Sequence, residues 1–201
     1  TSLQFDADSA RVLIEQAIAD SLIPGAVLCV VDEGEIVHLE AYGYRAIVPD
    51  HEKMTKHTIF DLASVSKPTG AGTAALLLIK EGRLSPDDLV CKYIPNYHSD
   101  VTVRHLMTHY SGLPSYLNAN WLQKQYLEAK GEKAPQNATS VSGDSAKARG
   151  DEALRRDFTI DAIATCHRPS AVGELYRYSC LNFISLQRVV ETIVGTDINT
   201  Y

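Results

Sequence analysis

A run of small and apolar residues, Ala71–Ile79, is the feature that most constrains the fold, because it predicts a buried helix. The run ends at Glu81 and Gly82, and glycine is a common residue just beyond the C-terminus of a helix. Pro68 lies near the other end, where it is tolerated because the first turn needs no backbone N–H for the helix ladder. We therefore expect a helix that begins near Ser64 and stops at Gly82.

Ser64 and Lys67 are three residues apart at the start of this helix, which places a hydroxyl and an amine on one helical face. Serine is a poor nucleophile at neutral pH, so acyl transfer requires a neighbouring base. The helix N–H groups would also stabilise negative charge developing on a carbonyl oxygen. An isolated Ser-x-x-Lys is more often a solvated helix start, but the apolar residues before it, Ile59, Phe60 and Leu62, argue against solvation.

The composition is that of a globular chain and argues against two classes of partner. Hydrophobic residues make up 45% and charged residues 22% of the 201 residues, which suits one ordinary domain or an incomplete larger one. The net charge of −6, without a cluster of lysine and arginine, argues against nucleic acid. The longest apolar runs, Ala26–Val31 and Ala74–Ile79, are far shorter than the roughly twenty residues of a membrane span.

Metal binding is the weaker interpretation of the cysteines and histidines. The four cysteines are too sparse for a zinc cluster, and we expect buried free thiols, with a disulfide as the alternative. They are Cys29, Cys91, Cys166 and Cys180. His105 and His109 have the spacing of a zinc-binding pair on a helix, but Leu106 stands where metallohydrolases carry a glutamate base. We expect neither a metal nor an organic cofactor.

Periodicity and turn signals divide the chain into residues 1–58, an N-terminal helix and β-hairpin, and residues 59–201, a mainly helical region. We interpret the polar stretch 118–157 as an insertion with some helix and a mobile middle, a candidate cover for the site. The predicted elements are a helix at Asp6–Asp20, strands at Gly25–Val31 and Glu35–Tyr42 joined by a turn at Gly34, a short helix from Ser85 towards Ile94, a helix capped by Thr102, and helices at Thr159–Cys166 and Phe183–Val194.

Several sequence blocks follow one another in an order that is more specific than any one of them. They are Leu62–Lys67, Glu81–Ser85 with Asp87 and Asp88, Tyr93–Pro95, Val101–His109, Ser111–Pro114 and Gly173–Phe183. The order resembles that of the serine β-lactamases and penicillin-binding proteins, in the branch of class C β-lactamases, D-alanyl-D-alanine carboxypeptidases and related esterases. This resemblance implies an α+β fold, with an antiparallel sheet flanked by helices and an all-helical region, here without its C-terminal strands.

The resemblance also implies roles for individual residues. Ser64 would be the acylated nucleophile, Lys67 the amine that holds its hydroxyl and shuttles a proton, and Tyr178 the partner phenol. In the family the second motif reads Tyr-x-Asn, and its asparagine touches the substrate amide. Here Cys180 takes that position, and a thiol is a weak hydrogen-bond donor. Cys180 and Asn182, two residues further on, are the candidate substrate-binding residues.

A second, literal Tyr-x-Asn match is Tyr116–Asn118. It ranks below Tyr178 because it directly follows the breaker sequence Ser111–Pro114 and lacks the flanking pattern. The family's third motif, Lys-Thr-Gly or His-x-Gly on a strand, does not occur before Tyr201.

The two predicted strands are too few for a stable sheet. A cleaved or split protein, a partial chain and a truncated gene product each explain this, and we favour the first two. We expect the missing C-terminal strands, with the second oxyanion-hole donor, on a second chain or fragment. No secretory signal is visible after Thr1. A processed chain would look the same, so the compartment stays open, and the resemblance points to a periplasmic or secreted protein.

The prediction for function is a serine hydrolase that forms an acyl-enzyme with an ester or amide carbonyl in a small-molecule or peptide substrate, β-lactams included. An esterase or peptidase fits Cys180 better than a dedicated β-lactamase does. The alternative is a binding or sensing protein on the same scaffold, in which Cys180 and the missing third motif reflect lost turnover.

Overall fold

The computed structural model describes residues 5–129, 131 and 156–201. The chain divides into two compact units, Thr1–Leu62 and Ala63–Tyr201. A helix at Ala119–Ala129 covers part of the predicted insertion 118–157, of which residue 130 and residues 132–155 lie outside the described residues.

The first unit contains helix α1 and a three-stranded antiparallel sheet in the order β1-β2-β3. Its elements are α1 (Ala7–Ala19), β1 (Gly25–Asp32), β2 (Glu35–Ala46) and β3 (Glu52–Lys53). The predicted helix and hairpin are confirmed. Strand β2 runs four residues past its predicted end and pairs with β3, which the sequence did not predict.

Three backbone positions in this hairpin need special geometry. Glu33 and Gly34 both have positive φ, 48° and 87°, as a two-residue turn between twisted strands requires. At Gly43 φ is 66°, and a Cβ there would lie 2.5 Å from the carbonyl oxygen of Pro24. Glycine therefore permits the close approach between the start of β1 and the C-terminal part of β2.

The second unit begins with the segment that carries Ser64, and its winding changes twice. A 3₁₀ turn spans Ala63–Val65, a π-helix spans Lys67–Gly72, and helix α2 spans Thr73–Lys80. The backbone N–H of Thr73 donates to the carbonyl of Pro68, five residues earlier, which is the π-helical hydrogen bond. The prediction of one helix starting near Ser64 is therefore wrong in its first part, although Gly82 ends it as expected, with φ of 71°.

Helix α2 is buried on only one face. Ala74, Ala75 and Leu78 are buried, whereas Leu76 and Leu77 are exposed. The prediction of a fully buried helix from the unbroken apolar run is therefore wrong for this exposed face.

Short elements lead to the remaining helices of this unit. The predicted helix from Ser85 is instead a turn closed by the carboxylate of Asp88, followed by a 3₁₀ turn at Val90–Lys92. The helices are α3 (Val103–Met107), α4 (Ala119–Ala129), α5 (156–165) and α6 (Cys180–Val194), with a last 3₁₀ turn at Ile198–Thr200. Thr102 caps α3 as predicted. Helix α6 begins three residues before its predicted start, because the side chain of Ser179 caps it by accepting from the N–H of Leu181.

The core of the second unit lies between α2, α3, α5 and α6. Its fully buried aliphatic side chains include Leu78, Leu106, Leu113, Ile163, Leu186, Val189 and Val190. Among the described residues, no helix combines the length and the apolar character that crossing a bilayer requires. All four cysteines are free thiols as predicted, but none is buried, and Cys29 is exposed.

Two aliphatic residues on α6 test this packing. Leu186 is 0% exposed and Ile184 is 38% exposed. We expect Leu186→Ala to lower the free energy of unfolding by about 2–5 kcal/mol, because it leaves a cavity in the core. Ile184→Ala should cost about 1 kcal/mol or less, since that side chain is partly solvated. Urea unfolding followed by circular dichroism measures both, and equal losses would contradict the packing.

Candidate active site

Three of the residues predicted from the sequence lie together in the second unit. The Nζ of Lys67 donates a hydrogen bond to the Oγ of Ser64 at 3.0 Å. The hydroxyl of Tyr178 donates to the same Oγ at 2.8 Å, although it is 114 residues away in the sequence. Lys67 Nζ also lies 5.4 Å from the centre of the Tyr178 ring. The structure therefore brings a hydroxyl, an amine and a phenol into direct contact.

Tyr178 lies in an extended segment just before α6, and hydrogen bonds hold this segment on both sides of the tyrosine. The N–H of Arg177 donates to the carbonyl of His109 at 3.0 Å, and the N–H of Cys180 donates to the carbonyl of Ser115 at 3.0 Å. The hydroxyl of Ser179 donates to the carbonyl of Pro114 at 2.6 Å. The backbone around Tyr178 is thereby fixed against the chain that follows α3.

The three groups influence one another's protonation. The hydrogen bond with Ser64 and the nearby ammonium of Lys67 hold the pKa of Tyr178 below its ordinary value of 10. The hydrogen bond to Tyr178 raises the pKa of Lys67, although burial opposes this shift, and the thiol of Cys180 adds to the rise. The pKa of Tyr178 falls and that of Lys67 rises for one reason, because a lysine ammonium and a tyrosine phenolate stabilise each other.

The site is open to solvent in the described part of the chain. Tyr178 is 41% exposed, and Ser64 is exposed. The expectation that apolar residues before Ser64 would exclude water is wrong, because Ile59, Phe60 and Leu62 are themselves exposed.

The two residues predicted to bind substrate lie in different environments. Cys180, the first residue of α6, is half-buried with its thiol near the amine of Lys67. Asn182 is completely buried, and its amide is engaged at both ends by Ser111 and His109. The prediction that Asn182 touches substrate is therefore at odds with the structure, because its side chain faces the interior.

The weaker sequence alternatives have other structural uses. In the second Tyr-x-Asn match, the Oδ1 of Asn118 accepts from the N–H of Trp121 at the start of α4. His105 and His109 do not share a helix, because α3 ends at Met107, and the Nδ1 of His105 accepts from the N–H of Thr102. Within the described residues, no group of three or more His, Cys, Asp and Glu side chains could hold a metal ion.

The sequence interpretation missed a contact between His109 and Tyr178. The two rings are tilted, with centres 4.7 Å apart. The signal was present in the block Val101–His109, which ends on this histidine, but neither spacing nor periodicity links it to a residue 69 positions later.

Comparison with known proteins identifies the family. The family model described as Beta-lactamase matches residues 10–201. Esterase EstB of Burkholderia gladioli is 33% identical over 210 residues, covering 97% of this chain and 48% of EstB. Penicillin-binding protein 4* of Bacillus subtilis (strain 168) is 37% identical over 101 residues, covering 48% of this chain and 22% of that protein. The chain belongs to the beta-lactamase family.

A solved class C beta-lactamase has the same fold over this region. It superposes with a TM-score of 0.66 at 22% identity, covering 95% of this chain and 45% of the beta-lactamase. The predicted α+β fold of this family is therefore confirmed. The chain spans less than half the length of each of these three relatives.

The ammonium of Lys67 should control the ionisation of Tyr178. We expect Lys67→Met to raise the pKa of Tyr178 towards 10, because the phenolate loses a neighbouring positive charge. Phenolate absorbance measures this pKa when the titration of the matching Tyr178→Phe variant is subtracted. Lys80→Met, at the exposed end of α2, is the control and should leave the pKa unchanged. Equal pKa values in all three proteins would contradict the described contact.

Proposed function

We propose that this chain carries the reacting groups of a serine hydrolase that forms an acyl-enzyme and acts on ester carbonyls in preference to amides. The observation that carries this proposal is that the Oγ of Ser64 lies within hydrogen-bond distance of both Lys67 and Tyr178. A nucleophile that contacts two proton-transfer groups is the usual arrangement for covalent acyl transfer.

Acylation uses all three side chains. Lys67 favours the phenolate form of Tyr178, and in that form the hydrogen bond reverses, so that the Ser64 hydroxyl donates to the phenolate. Tyr178 takes the proton as Oγ bonds to the carbonyl carbon. The bond between that carbon and the alcohol oxygen of the ester then breaks, and the departing alkoxide receives the proton from Tyr178.

Deacylation repeats the same proton transfers with water. Tyr178 takes a proton from the attacking water as the water oxygen bonds to the acyl carbon. The bond from that carbon to Oγ breaks, the carboxylic acid leaves, and the proton returns to Ser64. These proton transfers and bond changes involve only Ser64, Tyr178, the ester and water.

Cys180 supports an ester as the preferred substrate. The family motif has an asparagine at this position, whose amide can both donate to and accept from a substrate amide, and a thiol does neither well. Ester recognition depends less on such a pair. The similarity to a protein named as an esterase, over 97% of this chain, supports the same choice.

Substitution of the three residues tests the proposal. In the complete natural protein, we expect Ser64→Ala to abolish hydrolysis of a p-nitrophenyl ester and labelling by a fluorophosphonate, because no nucleophile remains. Tyr178→Phe and Lys67→Ala should each slow hydrolysis by about 10²–10⁴-fold, since each removes a proton-transfer group.

Ser66→Ala is the matched control. This serine is two residues from Ser64, and its side chain makes no capping hydrogen bond, so both signals should persist. If the wild-type protein neither hydrolyses the ester nor reacts with the fluorophosphonate, the alternative of a binding or sensing protein replaces this proposal.

A further inference from the structure

His109 lies directly after α3 and contacts the aromatic residues around Tyr178. Its ring centre is 4.7 Å from that of Tyr178, 6.0 Å from that of Tyr176 and 5.3 Å from that of Phe183. Its backbone has φ of 62°, a left-handed conformation that few residues other than glycine adopt readily. The imidazole therefore forms a half-buried support behind the phenol that touches Ser64.

Hydrogen bonds fix the protonation state of this ring. The Nδ1 of His109 accepts from the N–H of Ser179 at 3.3 Å and lies 3.0 Å from the Nδ2 of Asn182. The Oδ1 of Asn182 accepts from the hydroxyl of Ser111 at 2.5 Å, and the oxygen of that hydroxyl accepts from the N–H of Leu113. Because the Oδ1 of Asn182 faces the Ser111 hydroxyl, its NH₂ group faces the imidazole. Nδ1 is therefore the acceptor, and the ring proton is on Nε2.

His109 also holds the backbone on both sides of Tyr178. Its carbonyl accepts from the N–H of Arg177, and its Nδ1 accepts from the N–H of Ser179. The imidazole ring lies beside the Tyr178 ring, tilted by 44° to it. One residue thus restrains the segment before, at and after the phenol.

We propose that His109 is a positioning residue that, as a neutral imidazole, keeps the Tyr178 hydroxyl on Ser64. The effect on catalysis rests on the proposed function, whereas the placement of Tyr178 rests on the hydrogen bonds of His109. Asn182 contributes to the same positioning, because its buried amide orients the imidazole of His109. This explains why an asparagine near Tyr178 faces the interior.

The proposal has a pH dependence of definite sign. Burial and the charge of Lys67 hold the pKa of His109 below its ordinary value of 6.5. The titratable side chains that face the ring are Lys67, Tyr176 and Tyr178. A proton added to Nδ1 would point at the N–H of Ser179 and the NH₂ of Asn182, which are themselves donors, and these hydrogen bonds would break. The positioning is therefore present above the pKa of His109 and is lost as the pH falls through it.

Two substitutions separate the hydrogen-bond acceptor from the ring. His109→Asn keeps an acceptor near the position of Nδ1, and asparagine tolerates positive φ. His109→Phe keeps the aromatic surface and loses the acceptor. The matched control is His105→Phe, which removes a histidine acceptor from a backbone N–H in the cap of α3, without a ring contact to Tyr178 in the described structure.

Titration of Tyr178 by its phenolate absorbance is the first measurement, and it does not require activity. We expect His109→Phe to raise the pKa of Tyr178, because the phenol leaves Ser64 and Lys67, whereas His109→Asn and His105→Phe leave it nearer the wild-type value. An unchanged pKa in folded His109→Phe would overturn the proposal. If that variant does not fold, the ¹⁵N shifts of wild-type His109 decide, because a proton on Nδ1 at neutral pH would overturn it equally.

The rate of fluorophosphonate labelling is the second measurement. At neutral pH, His109→Phe should react about ten- to a hundredfold more slowly than wild type, and His105→Phe should match wild type. The ratio of the His109→Asn rate to the wild-type rate should rise as the pH falls below 6.5, since the variant lacks the titrating ring. A ratio independent of pH would contradict the inference. If the fluorophosphonate does not label the wild-type protein, the proposed function is refuted but the role of His109 is not. The titration of Tyr178 then decides that role.

Discussion

The hydroxyl of Ser64 accepts two hydrogen bonds, and the chemistry available to this chain depends on both. The bond from Lys67 is local, and it spans the change from a 3₁₀ turn to a π-helix that starts at the lysine. The bond from Tyr178 is long-range, and it requires α6 and the extended segment before it to pack against the chain after α3. The Oγ of Ser64 therefore accepts one hydrogen bond from within its own segment and one from a residue that is distant in the sequence.

The parts of the fold that local sequence determines were predictable. Two β-rich runs and the turn at Gly34 indicated the hairpin, and Thr102 and Gly82 marked a helix start and a helix end. The spacing between Ser64 and Lys67 also indicated their contact, because three residues span about one helical turn. Tyr178 was different, since only the resemblance of an ordered set of sequence blocks to a known family pointed to it.

The incorrect predictions about burial share a physical cause, because burial depends on contacts that local sequence does not contain. The apolar residues before Ser64 suggested a dry site, yet they are exposed among the described residues. Asn182 resembled a substrate ligand by its distance from Tyr178, yet the first turns of α6 carry it into the core beside Ser111. The contact between His109 and Tyr178 joins positions far apart in the sequence, so neither spacing nor hydrophobic period predicted it.

The central claim is that Ser64 carries a covalent acyl group during turnover, and mass spectrometry of an acid-quenched reaction tests it most directly. The complete natural protein would be mixed with a p-nitrophenyl ester, quenched within the first turnovers and digested. The account predicts the mass of the acyl group on the peptide that contains Ser64, and on no other peptide. Turnover without that adduct, or with the acyl group on the thiol of Cys180 instead, would contradict it.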